Sequence, residues 1–152
     1  MAKTTVYTIY TIGFTKKSAE KFFNFLQSHH ITCLVDIRLH PGGQLAGFTK
    51  QDDLAFFLSR LLSCAYKHLP ELAPTDEILT GYRTDKNWQH YVQRFEALMD
   101  ERHIPDALDR QLFETQACCL LCSEATPEQC HRRLVAERMA QRWGNVAIIH
   151  II

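Results

Sequence analysis

The stretch Ala117–Trp143, ACCLLCSEATPEQCHRRLVAERMAQRW, decides the fold. Ala117 to Cys122 is an unbroken apolar run of strand length, as expected of a strand covered on both faces. Thr126 and Gln129 have the spacing of a capping box, and Pro127 stands at the favoured first helical position. A long helix is therefore expected from Thr126 to Trp143, and Val146 to Ile152 closes the chain as a further strand. Strand, helix, strand in close succession calls for a parallel pairing with a crossover.

Towards the amino terminus the same alternation recurs. Val6 to Ile12 reads as a strand, Gly13 interrupts it, and Ser18 offers a cap for a helix whose Phe22, Phe25, Leu26 and His29 share one face, ending near His30. Ile31 to Ile37 is another nearly continuous apolar strand, with Asp36 and Arg38 at its carboxyl end. Leu39 to Thr49, with Pro41, Gly42, Gly43 and Gly47, reads as a loop. Thr49 with Asp52 resembles a capping pair ahead of a helix presenting Leu54, Phe57, Leu58 and Leu61. Ala65 to Leu69 is a short strand, and Pro70 and Pro74 open a second loop. Asp85 to about His103 reads as a helix whose Trp88, Tyr91, Val92, Phe95 and Met99 are core residues, followed by a shorter helix around Leu108 and Leu112. The expected fold is α/β: a Rossmann-like three-layer domain spanning 1–152, with a mainly parallel sheet and helices on both faces.

Composition narrows the function classes. The chain has 152 residues, 46% hydrophobic and 22% charged, which is globular composition in the size range of one domain. Lys plus Arg equals Asp plus Glu at 17 each, so no whole-molecule field draws it to nucleic acid or to an anionic membrane. The opening MAKTTVYTIYTIGF lacks the apolar core of an export signal, and no run approaches the roughly 20 apolar residues of a membrane span. A cytoplasmic location without membrane association is expected, and with it six cysteines kept as thiols.

In parallel sheets ligands bind beyond the carboxyl ends of the strands, and polar residues collect there in this chain. Gly13 follows the first strand, Asp36 and Arg38 end the second, His68 and Glu71 flank the third, and Cys122 and Glu124 end the fourth. On the following helix, Val135, Met139 and Trp143 fall at about −60°, −20° and +20° from Arg132, so Arg132 heads the apolar stripe and points at the sheet. An inward arginine beside the free N–H groups of a helix start suits a phosphate or carboxylate. Arg133, rotated by about 100°, reads as a surface charge. Cys118 and Cys119 read as packing residues, and Cys119 and Cys122, three apart on a strand, face opposite ways. Cys122 is open between nucleophile and packing residue, His131 between proton relay and loop hydrogen bond, and Asp36 with Arg38 between site and structural ion pair. Arg132 has the same choice, with Glu124 or Asp36 as its partner.

Several chemistries can be weighed by spacing. Six residues after Cys122 stands Glu128 where a cysteine phosphatase would need arginine, and the turn holds no glycine. Neither GxGxxG nor GxxxxGK[ST] occurs, so no dinucleotide or Walker-type nucleotide cofactor has motif support. Cys122, Cys130 and His131 invite a metal, but no second CxxC or HxxxH completes the usual ligand pattern, and no metal ligand is assigned.

TIGFTKKSAEKF, LVDIRLHP, Phe48 before a helix, YKHLPEL and above all LLCSEATPEQCHRRLVA resemble, in that order, the domain-of-unknown-function 488 family. The resemblance implies a Rossmann-like α/β fold and matches Gly13, Asp36, Arg38, Pro41, Tyr66, His68, Leu69, Glu71, Cys122, Glu124, Cys130, His131 and Arg132. The chain departs from the pattern at Phe14, at Gly43 and Gln44, and at Ala73 and Pro74, and the missing loop arginine lowers the positive charge at the crevice mouth. The leading expectation is a hydrolase or transferase for a phosphorylated, nucleotide-like or nucleic-acid-derived substrate. Arg38 and Arg132 would hold the anion, with Gly13, His68 and Glu71 around it. Glu124 or Asp36 would serve as base or nucleophile, His131 as relay, or Cys122 as nucleophile. The alternatives are a sensing or interaction module that binds an anion without turnover, and a metal-dependent enzyme using the Cys and His ligands.

Overall fold

The computed structural model describes residues 5–43 and 47–152; Gln44, one of the departures from the family pattern, lies outside them. Five parallel strands, β1 (Tyr7–Gly13), β2 (Cys33–Asp36), β3 (Ala65–His68), β4 (Cys118–Cys122) and β5 (Val146–Ile151), form one sheet in the order β3-β2-β4-β1-β5. The central strands are apolar because both faces are covered: every residue of β2 and β4 is buried.

Side-chain alternation divides the core in two. Ile9, Val35 and Leu120 face the layer formed by α3 (Asp76–Asp85), α4 (Trp88–Glu101), α5 (Arg110–Thr115) and α6 (His131–Trp143). Ile12, Leu34 and Leu121 face α1 (Ala19–Ser28) and α2 (Gln51–Leu62). This is the three-layer α/β architecture expected from the order of elements. The chain leaves β2 for the α2 face and β4 for the α6 face, and these strands are neighbours. Their carboxyl ends therefore part around a crevice.

Several boundaries differ from the sequence reading. Ser18 does cap α1, accepting from the Lys21 N–H at 3.1 Å. Thr126 and Gln129 form no capping box: residues 123–130 are turn, α6 begins at His131, and Cys130 is its N-cap without a side-chain cap bond. The would-be cap residues are engaged elsewhere, Thr126 with the Glu128 carboxylate and Gln129 with the Tyr82 hydroxyl at 3.2 Å. Likewise α2 is preceded by Lys50 without a side-chain cap, while the carbonyl of buried Thr49 accepts from Arg38 Nη2. Leu61 is 58% exposed, because α2 seats Leu54 and Leu58 instead.

The expected helix from Asp85 is two helices. Asp85 ends α3, Lys86 turns through a left-handed conformation, and the Asn87 side chain caps α4 by accepting from the His90 N–H. The first of these helices, α3, falls where the sequence reads as loop; Thr75 caps it through the Ile78 N–H. Tyr91, Phe95 and Met99 are core as expected. No helix among the described residues is long and apolar enough to cross a membrane.

Candidate functional site

A cavity of about 320 Å³ opens at the carboxyl ends of β2 and β4. Its floor is Cys122 from the end of β4 with Cys130 and His131 from the start of α6, all three buried. Tyr82, Trp88 and Tyr91 from α3 and α4 form one wall. Arg83 and Glu124 supply charge, whereas the Arg38 guanidinium is buried against Asp36 and Phe14.

The floor is held from several directions. The Cys130 thiol donates to Cys122 Sγ at 2.8 Å, and His131 Nδ1 lies 3.4 Å from the same sulfur. Nε2 of His131 donates to the Ile37 carbonyl at 2.8 Å. The imidazole also packs against Phe95, the end of an aromatic column that runs back through Tyr91 to Trp88.

Burial alone would push the Cys122 thiol up, but the Cys130 thiol, the His131 ring and the Glu124 N–H overcome it and hold Cys122 well below the ordinary thiol value. Burial, and then the Cys122 sulfur, push Cys130 up, so the pair carries one proton and Cys130 keeps it. For His131 burial works downwards, yet the Cys122 thiolate and the Ile37 carbonyl raise it. The arrangement favours a thiolate at Cys122 beside the His131 imidazole at a helix amino terminus.

Of the residues singled out by sequence, Arg38, Cys122, Glu124 and His131 line this cavity. Asp36 does not: it lies on the opposite face of the sheet, fully buried, accepting from Arg38 N, Nε and Nη2 and from the Tyr66 hydroxyl at 2.6 Å. It holds Arg38 in place, as does His68, whose Nε2 donates to the Arg38 carbonyl. Arg38 Nη1 has no hydrogen-bond partner among the described residues.

Arg132 is wholly buried, as its position on the helix requires, but stands outside the cavity lining. Its Nη1 donates to the Glu124 carbonyl at 2.5 Å, and Nε and Nη2 are unpartnered among the described residues. Gly13 is the position against which this contact closes: a Cβ there would overlap both the Glu124 carbonyl and the Arg132 guanidinium. Glu71 contributes its backbone carbonyl to Arg102 and is not in the cavity lining. Arg133 pairs with Glu137 along the outside of α6.

The sequence reading missed Tyr82 and Arg83 as site residues and took Trp88 for core. Thr75 followed by two acidic residues and then Ile78, Leu79 and Tyr82 was the available signal for α3.

The family model for a domain of unknown function, DUF488, matches residues 18–139, which include β2 and β4 and the whole Cys-x-Glu to Cys-His-Arg turn. The chain belongs to the DUF488 family. The family description carries no reaction, and no curated protein and no solved structure matches the chain. What the DUF488 motif residues build is nonetheless plain. The Cys-x-Glu segment delivers one sulfur to the cavity floor, and Cys-His delivers a second sulfur and an imidazole. The arginine that follows locks the turn between them.

Proposed function

We propose that this protein is a cytoplasmic enzyme, a hydrolase or transferase, whose substrate is phosphorylated, nucleotide-like or derived from nucleic acid. The observation that carries the proposal is the Cys122–His131 pair, 3.4 Å apart on the floor of an open cavity. A buried thiolate costs several kcal/mol of desolvation unless something offsets it, and a polar centre placed at a cavity floor is the usual mark of chemistry. Arg83 supplies positive charge for an anionic group, and the faces of Trp88 and Tyr82 suit a planar ring. Glu124, exposed at the same cavity, is the proton acceptor within reach of a bound water or hydroxyl. Asp36, His68, Arg132 and Gly13 support this arrangement by positioning: the first two fix Arg38 and the last two fix the Glu124 turn.

The test is prolonged incubation with nucleotides, sugar phosphates and short oligonucleotides, with products read by mass spectrometry. Turnover is expected, and Cys122→Ser and Glu124→Gln should each lower it by about 10²-fold or more while the fold persists. Saturable binding with no product would make the chain a sensing module, and neither binding nor product would overturn the proposal.

A further inference from the structure

The same floor has a second property that a thiolate beside an imidazole does not require. Cys122 Sγ, Cys130 Sγ and His131 Nδ1 all lie within 4.8 Å of one another, each contributes one donor atom, and all three residues are buried. We propose that they bind one zinc ion, with its fourth position open to the cavity.

Tetrahedral zinc with Zn–S near 2.3 Å and Zn–N near 2.0–2.1 Å sets sulfur and nitrogen about 3.6 Å apart and two sulfurs about 3.8 Å apart. The observed 3.4 Å between Cys122 Sγ and His131 Nδ1 matches the first edge. The sulfur pair, at 2.8 Å, opens by about 1 Å, a small rotation about Cα–Cβ.

The surroundings are those a zinc site needs. His131 presents Nδ1 because its Nε2–H is held by the Ile37 carbonyl, the outer contact that fixes a ligating imidazole. The Glu124 N–H, in the turn after β4, bonds the Cys122 sulfur and the Arg132 N–H, in the first turn of α6, the Cys130 sulfur, so both thiolates are stabilised by backbone donors. Two thiolates and a neutral imidazole balance a divalent ion, and no charge need be left unpaired in the buried floor. Two sulfurs and one imidazole suit zinc rather than magnesium or calcium, which take oxygen ligands. Three protein ligands with the fourth position free is the catalytic, not the structural, pattern.

Among the described residues the cavity offers Glu124 as the carboxylate beside that open position, on a residue that is not itself a ligand. This rests on the proposal that the cavity is the reaction site, and it makes the reaction a zinc-assisted one in which the ion polarises water or substrate and Glu124 takes the proton.

The test begins with the full chain purified without chelator and analysed for metals. Near one equivalent of zinc per chain is expected. Replacement by Co²⁺ should give sulfur-to-cobalt charge-transfer bands in the near ultraviolet and the intense visible bands of a tetrahedral ion, a readout independent of activity. Cys122→Ser, Cys130→Ser and His131→Ala should each reduce retention by at least about 10-fold; circular dichroism identifies any variant that fails to fold, and the cobalt spectrum of the unsubstituted chain does not depend on them. No metal uptake on titration with zinc, a Cys122–Cys130 disulfide in protein kept under reductant, or a cobalt spectrum without thiolate bands would each overturn the site. Full turnover in metal-free protein would remove the zinc and leave the enzyme, whereas a loaded site without turnover on any substrate would leave the zinc and remove the enzyme.

Discussion

Nε2 of His131, the first residue of α6, donates a 2.8 Å hydrogen bond to the carbonyl of Ile37, the residue that follows β2. A carbonyl only accepts, so this nitrogen carries a proton and Nδ1 alone is left to face Cys122. Zinc titration should therefore move the ¹⁵N resonance of His131 Nδ1 and leave Nε2 protonated and slow to exchange. A spectrum in which Nε2 lost its proton would contradict both the bond and the ligand assignment.

The Asp36 carboxylate accepts three bonds from Arg38, at 3.1, 2.9 and 2.7 Å, and a fourth from Tyr66. Removing one partner of a buried ion pair strands the other, at a cost of about 3–5 kcal/mol. Asp36→Asn should lose about that much in urea denaturation, and Tyr66→Phe, which removes one hydrogen bond to a charged group, about 1.5–3 kcal/mol. An Asp36→Asn protein of unchanged stability would mean the pair is not formed in solution.

These contacts mark where sequence reading succeeds and where it stops. Strands such as Cys118–Cys122 are legible because two-sided burial leaves a continuous apolar run. Arg132 is legible because helical geometry fixes its direction relative to Val135 and Met139, even though the helix begins four residues later than its capping signals imply. The start of α6 is not legible, since the competing partners of Thr126 and Gln129 include a residue 47 positions away. Asp36 and Cys122 end neighbouring strands, yet they face opposite sides of the sheet, which only the register Asp36 to Leu121 decides. Helix α3 was hidden by Pro70, Pro74 and Gly81, so the wall that Tyr82 and Arg83 give the cavity was hidden with it.

His150 Nδ1 lies 2.6 Å from Thr11 Oγ1 across β5 and β1. Burial first, and then the positive charge of Arg132, hold this imidazole below its ordinary value. A depressed histidine favours the neutral form in the folded chain, so protonation favours unfolding. Its contribution is complete above the unfolded pKa of about 6.5 and is lost as pH falls through that value towards the lower folded one. The fall in Tm between about pH 7.5 and about pH 5.5 should be smaller in His150→Gln than in the unsubstituted chain. An identical fall in both would assign the acid sensitivity to other groups.

Trp88 stacks on Tyr91 with ring centroids 4.8 Å apart and planes 14° from parallel, and both rings line the cavity. The chain's other tryptophan, Trp143, packs instead against Tyr7 and Phe113, away from it. Fluorescence can therefore report on the cavity with an internal control. A ligand with a planar base should quench emission in the unsubstituted chain and in Trp143→Phe, and the quench should vanish in Trp88→Phe. Base–aromatic stacking contributes about 1–3 kcal/mol, so Trp88→Ala should weaken such a ligand by roughly 5- to 150-fold, while inorganic phosphate, which has no ring, should bind both proteins equally. Because Trp88 is half-buried at the start of α4, the variant should keep its fold, which thermal denaturation checks. Quenching that persists in Trp88→Phe would place the ring elsewhere and leave only the anion-binding half of the cavity.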